Sequence, residues 1–238
     1  MKITFESLCV EITRKCNMKC AHCIRGEAQD SDMPLNVLEK LLERTKSIQT
    51  LIITGGEPSL NIEGMRVLLR LLKKRCIPIF GFYIVTNGKR VTDEFMQTLI
   101  DYHLYVKECS DGYEDDYSTE IALSQDIFHE QIPPENIYKL QTLAAFSIKD
   151  KSTDWRKTPL INKGRAIDLT EYPKREPYTP LPQYEIADGV VHFGEIVTLT
   201  VDGMLIADCD YSYDEISPEN ISNYPSFISK VEDIDKLR

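Results

Sequence analysis

Residues 51–88 read LIITGGEPSLNIEGMRVLLRLLKKRCIPIFGFYIVTNG, and the order of signals in this stretch decides the fold class. Leu51–Thr54 is a short apolar run ended by Gly55-Gly56, the pattern of a buried strand. Asn61 is a residue type that caps helices. Behind it, Met65, Leu68, Leu69 and Leu72 form one helical stripe. That helix closes on Lys73, Lys74 and Arg75, cations that complement the negative end of its dipole. Ile79–Thr86 is a second strand, stopped by the turn pair Asn87-Gly88. Strand, helix and strand in this order make a βαβ unit with parallel strands and a right-handed crossover.

The same alternation extends both ways. Upstream, Leu8–Thr13 alternates as a strand and runs directly into a cysteine-rich loop. Over 34–46, Leu35, Leu38, Leu41 and Leu42 recur at helical spacing, with Pro34 suited to a first turn. Downstream, Thr92 can cap a helix that carries Asp93 and Glu94 in its first turn and Phe95, Met96, Leu99 and Ile100 behind them. The acidic segment from Ser110 to Ser118 reads as a turn. Ile121–Phe128 is a fourth strand, Pro133-Pro134-Glu135 opens another helix, and Ala144–Lys149 is a fifth strand. Five strands alternating with helices imply a parallel sheet, open and doubly wound or part of a β/α barrel. In either case the functional loops gather at the carboxyl ends of the strands.

Beyond residue 150 the pattern changes. Pro173, Pro177, Pro180 and Pro182 fall within ten residues and mark an extended linker. Glu195–Val201 and Met204–Asp208 flank Asp202-Gly203, a strong hairpin signal. The polar tail from Ser217 is expected on the surface. The reading is a core over 1–170 and an extension over 171–238.

The chain has 238 residues, 42% apolar and 28% charged, which is ordinary globular composition. Its net charge of −10 argues against nucleic acid or an anionic membrane as a partner. The opening MKITFESLCVEIT contains Glu6 and Glu11 and has no apolar core of a signal peptide. The longest apolar run, Cys76–Val85, is about half of a membrane span. A cytoplasmic location is expected.

Of seven cysteines, Cys16, Cys20 and Cys23 crowd into eight residues as C-x3-C-x2-C, while Cys9, Cys76, Cys109 and Cys209 are scattered. A disulfide scaffold spreads its cysteines through a shorter chain. A tight cluster in a reducing compartment reads as metal ligation. A [4Fe–4S] cube normally takes four thiolates. Three close thiolates leave one iron open, as a catalytic metal requires. Zinc held by the same cysteines with His22 is an alternative, as are purely structural cysteines. Thr54-Gly55-Gly56-Glu57-Pro58 follows the second strand. Its glycines allow close approach to the backbone, and Glu57 can accept hydrogen bonds from an ammonium group. Arg165 can grip a carboxylate bidentately.

The cysteine loop paired with Gly55-Gly56-Glu57 resembles the radical S-adenosylmethionine (SAM) superfamily over roughly residues 5–130. The resemblance implies a partial (β/α)6-type barrel with a small C-terminal β-hairpin extension. It implies that Cys16, Cys20 and Cys23 hold a [4Fe–4S] cluster. Gly55, Gly56 and Glu57 would bind the methionyl amino group of SAM, and His22 would place its backbone near adenine. Thr86-Asn87-Gly88 matches the third-strand segment, with Asn87 at the cofactor. Ser124 and Asp126, two apart on one strand face, match polar positions near the ribose. His129 reads as a surface or packing histidine. Lys163-Gly164-Arg165-Ala166, the hairpin and Cys209 resemble peptide maturases with a SPASM or twitch extension, but a single cysteine beyond residue 110 cannot hold an auxiliary cluster. A hydrogen-donor role for Cys209 is one further expectation. The implied activity is reductive cleavage of SAM to a 5′-deoxyadenosyl radical that takes hydrogen from a peptide or protein side chain. A small-molecule enzyme of nucleoside or cofactor biosynthesis and a glycyl-radical activase are alternatives. So is a non-catalytic metal-binding interaction protein. The implied electron donor is a flavodoxin or ferredoxin.

Overall fold

The computed structural model describes residues 1–110, 118–149, 157–207, 210–217 and 219–237. Up to residue 149 it alternates β1 (Lys2–Thr13), α1 (Leu35–Arg44), β2 (Thr45–Gly55), α2 (Ile62–Lys74), β3 (Ile79–Thr86), α3 (Asp93–Cys109), β4 (Ser118–Ser124), α4 (Pro134–Gln141) and β5 (Phe146–Lys149). These five strands pair in parallel and lie in chain order. The chain is therefore a mixed α/β protein built on a parallel sheet. The cap signals act as the sequence implies. Asn61 Oδ1 accepts from Gly64 N at 3.0 Å, and Thr92 Oγ1 accepts from Phe95 N at 3.2 Å.

The two faces of the sheet differ in chemistry. Leu8, Val10, Leu51, Ile53, Phe82 and Ile84 point into one core with the helical stripes that carry Leu38, Leu41, Met65, Leu68, Phe95 and Leu99. Phe82 stacks on Tyr102 at 4.5 Å, and the Tyr102 hydroxyl donates to Met65 O at 2.8 Å, so α2, α3 and β3 meet at one point. Ladder partners share a face. Ser7 aligns with Thr50 and Gly81, and Cys9 with Ile52 and Tyr83, on the opposite face. There Ser7, Cys9, Thr50, Ile52 and Tyr83 stay only partly buried.

Past residue 157, β6 (Leu160–Ile161) and β7 (Lys174–Arg175) form a small ladder of their own. β8 (Glu185–Ala187), β9 (Val190–Leu199), β10 (Met204–Ala207) and β11 (Phe227–Lys230) join the main sheet. β9 and β10 form the expected hairpin, with Leu205 opposite Leu199 and Gly203 at φ +75° in the turn. The hairpin docks through β9, which runs parallel to β1 and sets Thr198 opposite Cys9. Alternation within β9 identifies a strand but carries no signal for that partner.

Two expectations change. The fourth strand does not reach Phe128: β4 ends at Ser124, so Ser124 and Asp126 do not share a strand face. Asp126 instead forms a turn in which its Oδ1 accepts from Phe128 N at 2.8 Å, the local bond that draws Asp residues out of strands. The tail from Ser217 is not merely a surface cover. β11 pairs with β10, and Ile221, Val231 and Ile234 are buried. Val231 and Ile234 stand three apart in a 3₁₀ turn, which stacks them on one side and leaves Glu232 and Asp233 to water. Cys209, Asp208 and most of the acidic turn, 111–117, lie outside the described residues.

Candidate active site

The carboxyl ends of β1 to β4 converge. β1 feeds the loop that carries Cys16, Cys20 and Cys23, and β2 ends at Gly55-Gly56-Glu57. β3 ends at Thr86-Asn87-Gly88, and β4 runs into Ser124–His129. The first two ends are joined by backbone bonds. Gly56 N donates to Thr13 O and Glu57 N to Lys15 O, both at 2.8 Å. This contact gives the glycines their reason. A Cβ on Gly55 would meet Thr13 O at 2.1 Å, and one on Gly56 would meet Lys15 O at 2.2 Å. Gly55 also sits at φ +144°, a conformation that favours glycine. The close approach inferred from sequence is made here by the root of the cysteine loop.

Glu57 is 1% exposed. Its Oε1 accepts from Ser59 N at 3.0 Å and Thr86 Oγ1 at 2.7 Å, and its Oε2 accepts from Asn87 N at 2.7 Å. Burial pushes its carboxyl above the ordinary range against the pull of these donors. Glu57 thus latches the second strand end to the third.

The three cysteines of the loop are half-buried thiols. Burial raises the Cys16 thiol, the Met18 backbone lowers it, and the nearby charges of Glu57, Cys20 and Cys23 raise it further. Cys20 and Cys23 are thus close enough to Cys16 to oppose its ionisation. A cationic iron centre relieves that repulsion, so the donor set fits an iron–sulfur group.

Neighbouring elements grip the loop from several sides. Asn87 Nδ2 donates to Asn17 Oδ1 at 2.8 Å, and Lys89 Nζ donates to Asn17 O at 2.9 Å. Glu130 accepts from Lys19 N at 3.1 Å and pairs with Lys89. Arg165 does not offer its guanidinium to a ligand as expected: its Nε donates to Cys20 O at 3.0 Å, and its Nη1 meets Glu27 at 3.2 Å. Arg165 N also donates to Cys23 O at 2.9 Å. Gly164 lies so close that a Cβ there would meet Ile24 O at 2.4 Å.

The C-terminal extension completes the grip. Glu11, 1% exposed, accepts from Arg14 Nε and Val201 N, each at 3.0 Å, and from the Tyr211 hydroxyl at 3.3 Å. Arg14 also pairs with Asp202 at 2.8 Å. The Arg25 guanidinium lies 3.5 Å over the Tyr211 ring, and Tyr213 N donates to Arg25 O at 3.1 Å.

On the far side, His22 Nε2 lies 3.3 Å from Asp126 Oδ2, and His129 Nδ1 lies 2.7 Å from Asp126 Oδ1. Ser124 Oγ meets His129 Nε2 at 3.2 Å. The His22 ring packs on Phe128 at 4.9 Å. It is held by Asp126, which disfavours its use as a fourth zinc ligand beside the cysteines. Burial lowers the His22 pKa, as do His129 and Arg165, against Asp126. Burial also opposes charge on His129, but Asp126 and Cys20 outweigh it and raise His129 to about 9. Burial opposes the charge of Asp126 too, but His129, His22 and the Phe128 N–H hold it below its usual range. Of the surface and packing readings expected for His129, the geometry favours packing: its side chain is 8% exposed and paired with Asp126.

The family comparison falls on this region: residues 10–108 match the radical SAM superfamily. This stretch is similar to radical SAM domains. A tungsten-containing aldehyde ferredoxin oxidoreductase cofactor-modifying protein from Pyrococcus furiosus is 32% identical over 100 residues, covering 40% of this chain and 27% of that protein. An S-adenosylmethionine-dependent nucleotide dehydratase from Oncorhynchus mykiss is 25% identical over 126 residues, covering 51% of this chain and 36% of its own length. The chain thus spans between about a quarter and a third of these relatives. Among solved structures, native anSMEcpe with bound AdoMet and Kp18Cys peptide aligns over 97% of this chain and 78% of its own, at 12% identity and TM-score 0.48. Streptococcus suis SuiB bound to its precursor peptide aligns over 84% and 58%, at 13% identity and TM-score 0.38.

Every radical SAM residue named from sequence within the described part stands at these strand ends: Cys16, Cys20, Cys23, His22, Gly55, Gly56, Glu57, Asn87, Ser124 and Asp126. Sequence reasoning missed Glu11, Arg14, Arg25, Lys89 and Glu130. Glu11 and Arg14 form a local i, i+3 pair, but their contacts with Val201, Asp202 and Tyr211, like those of Arg25, Lys89 and Glu130, lie far along the chain and no local spacing marks them. His129, three residues after Asp126, had a signal: the i, i+3 carboxylate–imidazole pair.

Proposed function

We propose that this protein is a radical SAM enzyme whose residues Cys16, Cys20 and Cys23 hold a [4Fe–4S] cluster. The observation that carries this is the fusion of the three-cysteine loop to the Gly55-Gly56-Glu57 turn through Thr13 and Lys15, within a matched radical SAM region. A cluster held by Cys16, Cys20 and Cys23 would supply the one-electron chemistry for reductive cleavage of SAM and, through it, hydrogen abstraction from the substrate. The remaining work belongs to the chain. The backbone of Gly55 and Gly56 receives the methionyl amino group, beside a Glu57 carboxylate fixed by three donors. Ser124, Asp126 and the His22 backbone form the wall for the ribose and adenine. Residues 1–170 form the catalytic body, and 171–238 brace the cysteine loop.

The half-exposed, largely polar face that carries Ser7, Cys9, Thr50 and Tyr83 leads toward this site. It suits an extended polar substrate, so we take a peptide or protein side chain as the target. The curated relatives favour a second reading, a nucleotide or organic cofactor as substrate. Thiols rather than disulfides at Cys16, Cys20, Cys23, Cys76 and Cys109 fit a reducing cytoplasm, with a flavodoxin or ferredoxin as electron source.

Anaerobic reconstitution with iron and sulfide, followed by reduction and addition of SAM, tests the proposal. Formation of 5′-deoxyadenosine is expected. A protein that takes zinc instead and forms no deoxyadenosine overturns it. Substrate assays with peptides and nucleotides then separate the two substrate readings.

A further inference from the structure

Asn87 is 8% exposed, and its backbone N–H and side-chain amide are engaged. Its backbone N–H donates to Glu57 Oε2 at 2.7 Å, and its Oδ1 accepts from Lys89 N at 2.9 Å. One amide hydrogen serves Asn17 Oδ1 at 2.8 Å. The amide nitrogen also stands 3.9 Å from Cys16 Sγ, within the longer reach of a bond to sulfur. The amide cannot turn outward to a ligand without giving up Asn17 and Lys89 together.

We infer that Asn87 is a positioning residue that directs its second amide hydrogen at the Cys16 sulfur and so raises the reduction potential of the group the cysteines hold. This inference rests on the [4Fe–4S] reading above. The physical reason is charge. Reduction adds an electron to a centre already carrying thiolate charge, and an N–H dipole aimed at a ligand sulfur stabilises the reduced form more than the oxidised one. The donor is a neutral amide, so the effect needs no change of protonation. Its fixed direction comes from Glu57 at the end of the second strand and from Lys89, two residues beyond Asn87, neither of them part of the cysteine loop.

The test is a redox titration followed by electron paramagnetic resonance on the reconstituted full-length chain without SAM, with iron content measured in parallel. Asn87→Asp keeps the shape and the acceptor for Lys89 N, removes the donor and adds a negative charge. Asn87→Ala removes donor and acceptor. Asn17→Ala loosens the loop but leaves the Asn87 donor facing Cys16. The expected order of midpoint potential is wild type, then Asn87→Ala, then Asn87→Asp. Loss of one donor should shift the reduction equilibrium about tenfold, or about 59 mV for one electron. Asn17→Ala should keep the wild-type midpoint. An unchanged midpoint in an iron-replete Asn87→Asp protein overturns the inference and leaves the enzyme reading intact. Loss of iron in both Asn87 variants, with iron retained in Asn17→Ala, overturns the tuning role in favour of a structural one. A wild-type chain that takes up no cluster overturns the enzyme reading, and the inference with it.

Discussion

Gly56→Ala separates two reasons for a glycine at the end of β2. If the position serves only ligand approach, an alanine should leave the apoprotein intact and weaken SAM binding alone. The structure gives a different expectation. An added Cβ would stand 2.2 Å from Lys15 O and 2.7 Å from its carbonyl carbon, where ordinary contact begins at 3.4 Å. The strand ends must then separate by about 1.2 Å at this point. Both obstructing atoms are backbone, so no side chain can rotate away. That movement stretches Gly56 N to Thr13 O and Glu57 N to Lys15 O, both now at 2.8 Å, beyond hydrogen-bond range. Leaving a buried donor or acceptor unsatisfied costs about 1–3 kcal/mol each. The expected loss is therefore about 2–6 kcal/mol in urea unfolding of the apoprotein, with lower iron uptake because the cysteine loop loses its anchor. Gly26→Ala is the control. Nothing lies within 4 Å of its added Cβ, and only its φ of +84° opposes substitution, at about 1–3 kcal/mol. A Gly56→Ala protein with wild-type stability and full iron uptake would refute the packing argument and return the glycine to a ligand role.

Three further outcomes follow from the same contacts. Glu57→Gln must oppose its NH2 to either the Asn87 or the Ser59 N–H, so it should lose about 1–3 kcal/mol in denaturant titration; wild-type stability would show that the latch is slack. Glu11→Ala leaves buried Arg14 with one of its two carboxylates and should cost about 3–5 kcal/mol by the same measurement, whereas a cost under about 1 kcal/mol would mean that Asp202 alone suffices. In the apoprotein, His129 should titrate near 9 by NMR, and Asp126→Asn should bring it down toward the ordinary histidine range. A pKa raised in the folded state stabilises the fold fully below the unfolded value and is lost as pH rises through the folded one. The wild-type apoprotein should therefore lose stability between about pH 6.5 and pH 9, by about 1–2 kcal/mol after allowance for solvent screening. Asp126→Asn should flatten that slope, and an equally steep slope in the variant would remove Asp126 as its source.

The parts legible in sequence are those encoded over short distances. Strand runs such as Ile79–Thr86, the caps at Asn61 and Thr92 and the stripe Met65, Leu68, Leu69 and Leu72 depend on neighbours within one or two turns. They carry the βα order through to β5. The cysteine spacing and Gly55-Gly56-Glu57 are equally local, so the site could be named before its geometry was seen. What stayed hidden depends on long-range pairing. Nothing in VVHFGEIVTL states that β9 will lie against β1, about 190 residues earlier. Glu11 reads as an acidic residue in an alternating strand until Arg14, Val201 and Tyr211 close around it. Asp126 was misplaced on a strand because its apolar neighbours Ile127 and Phe128 mimic strand composition, while its own side chain drives a turn.

Those long-range contacts change the meaning of the C-terminal extension. A detachable appendage would touch the catalytic body through exposed, replaceable side chains. Here Val201 and Tyr211 satisfy a carboxylate that is 1% exposed on β1, and Tyr213 holds the backbone of Arg25, two residues after the last cysteine of the loop. Lys163, ahead of the Gly164-Arg165 clamp on Cys20 and Cys23, pairs in turn with Glu215 at 2.5 Å. Removal of the extension would therefore strip two donors from the buried Glu11 carboxylate and remove one hold at each end of the cysteine loop. No sulfur from the described part of the extension is needed for this task, because backbone amides, a carboxylate and tyrosine rings perform it. The scarcity of cysteines after residue 110 is then compatible with an extension that acts on the first cluster site by packing.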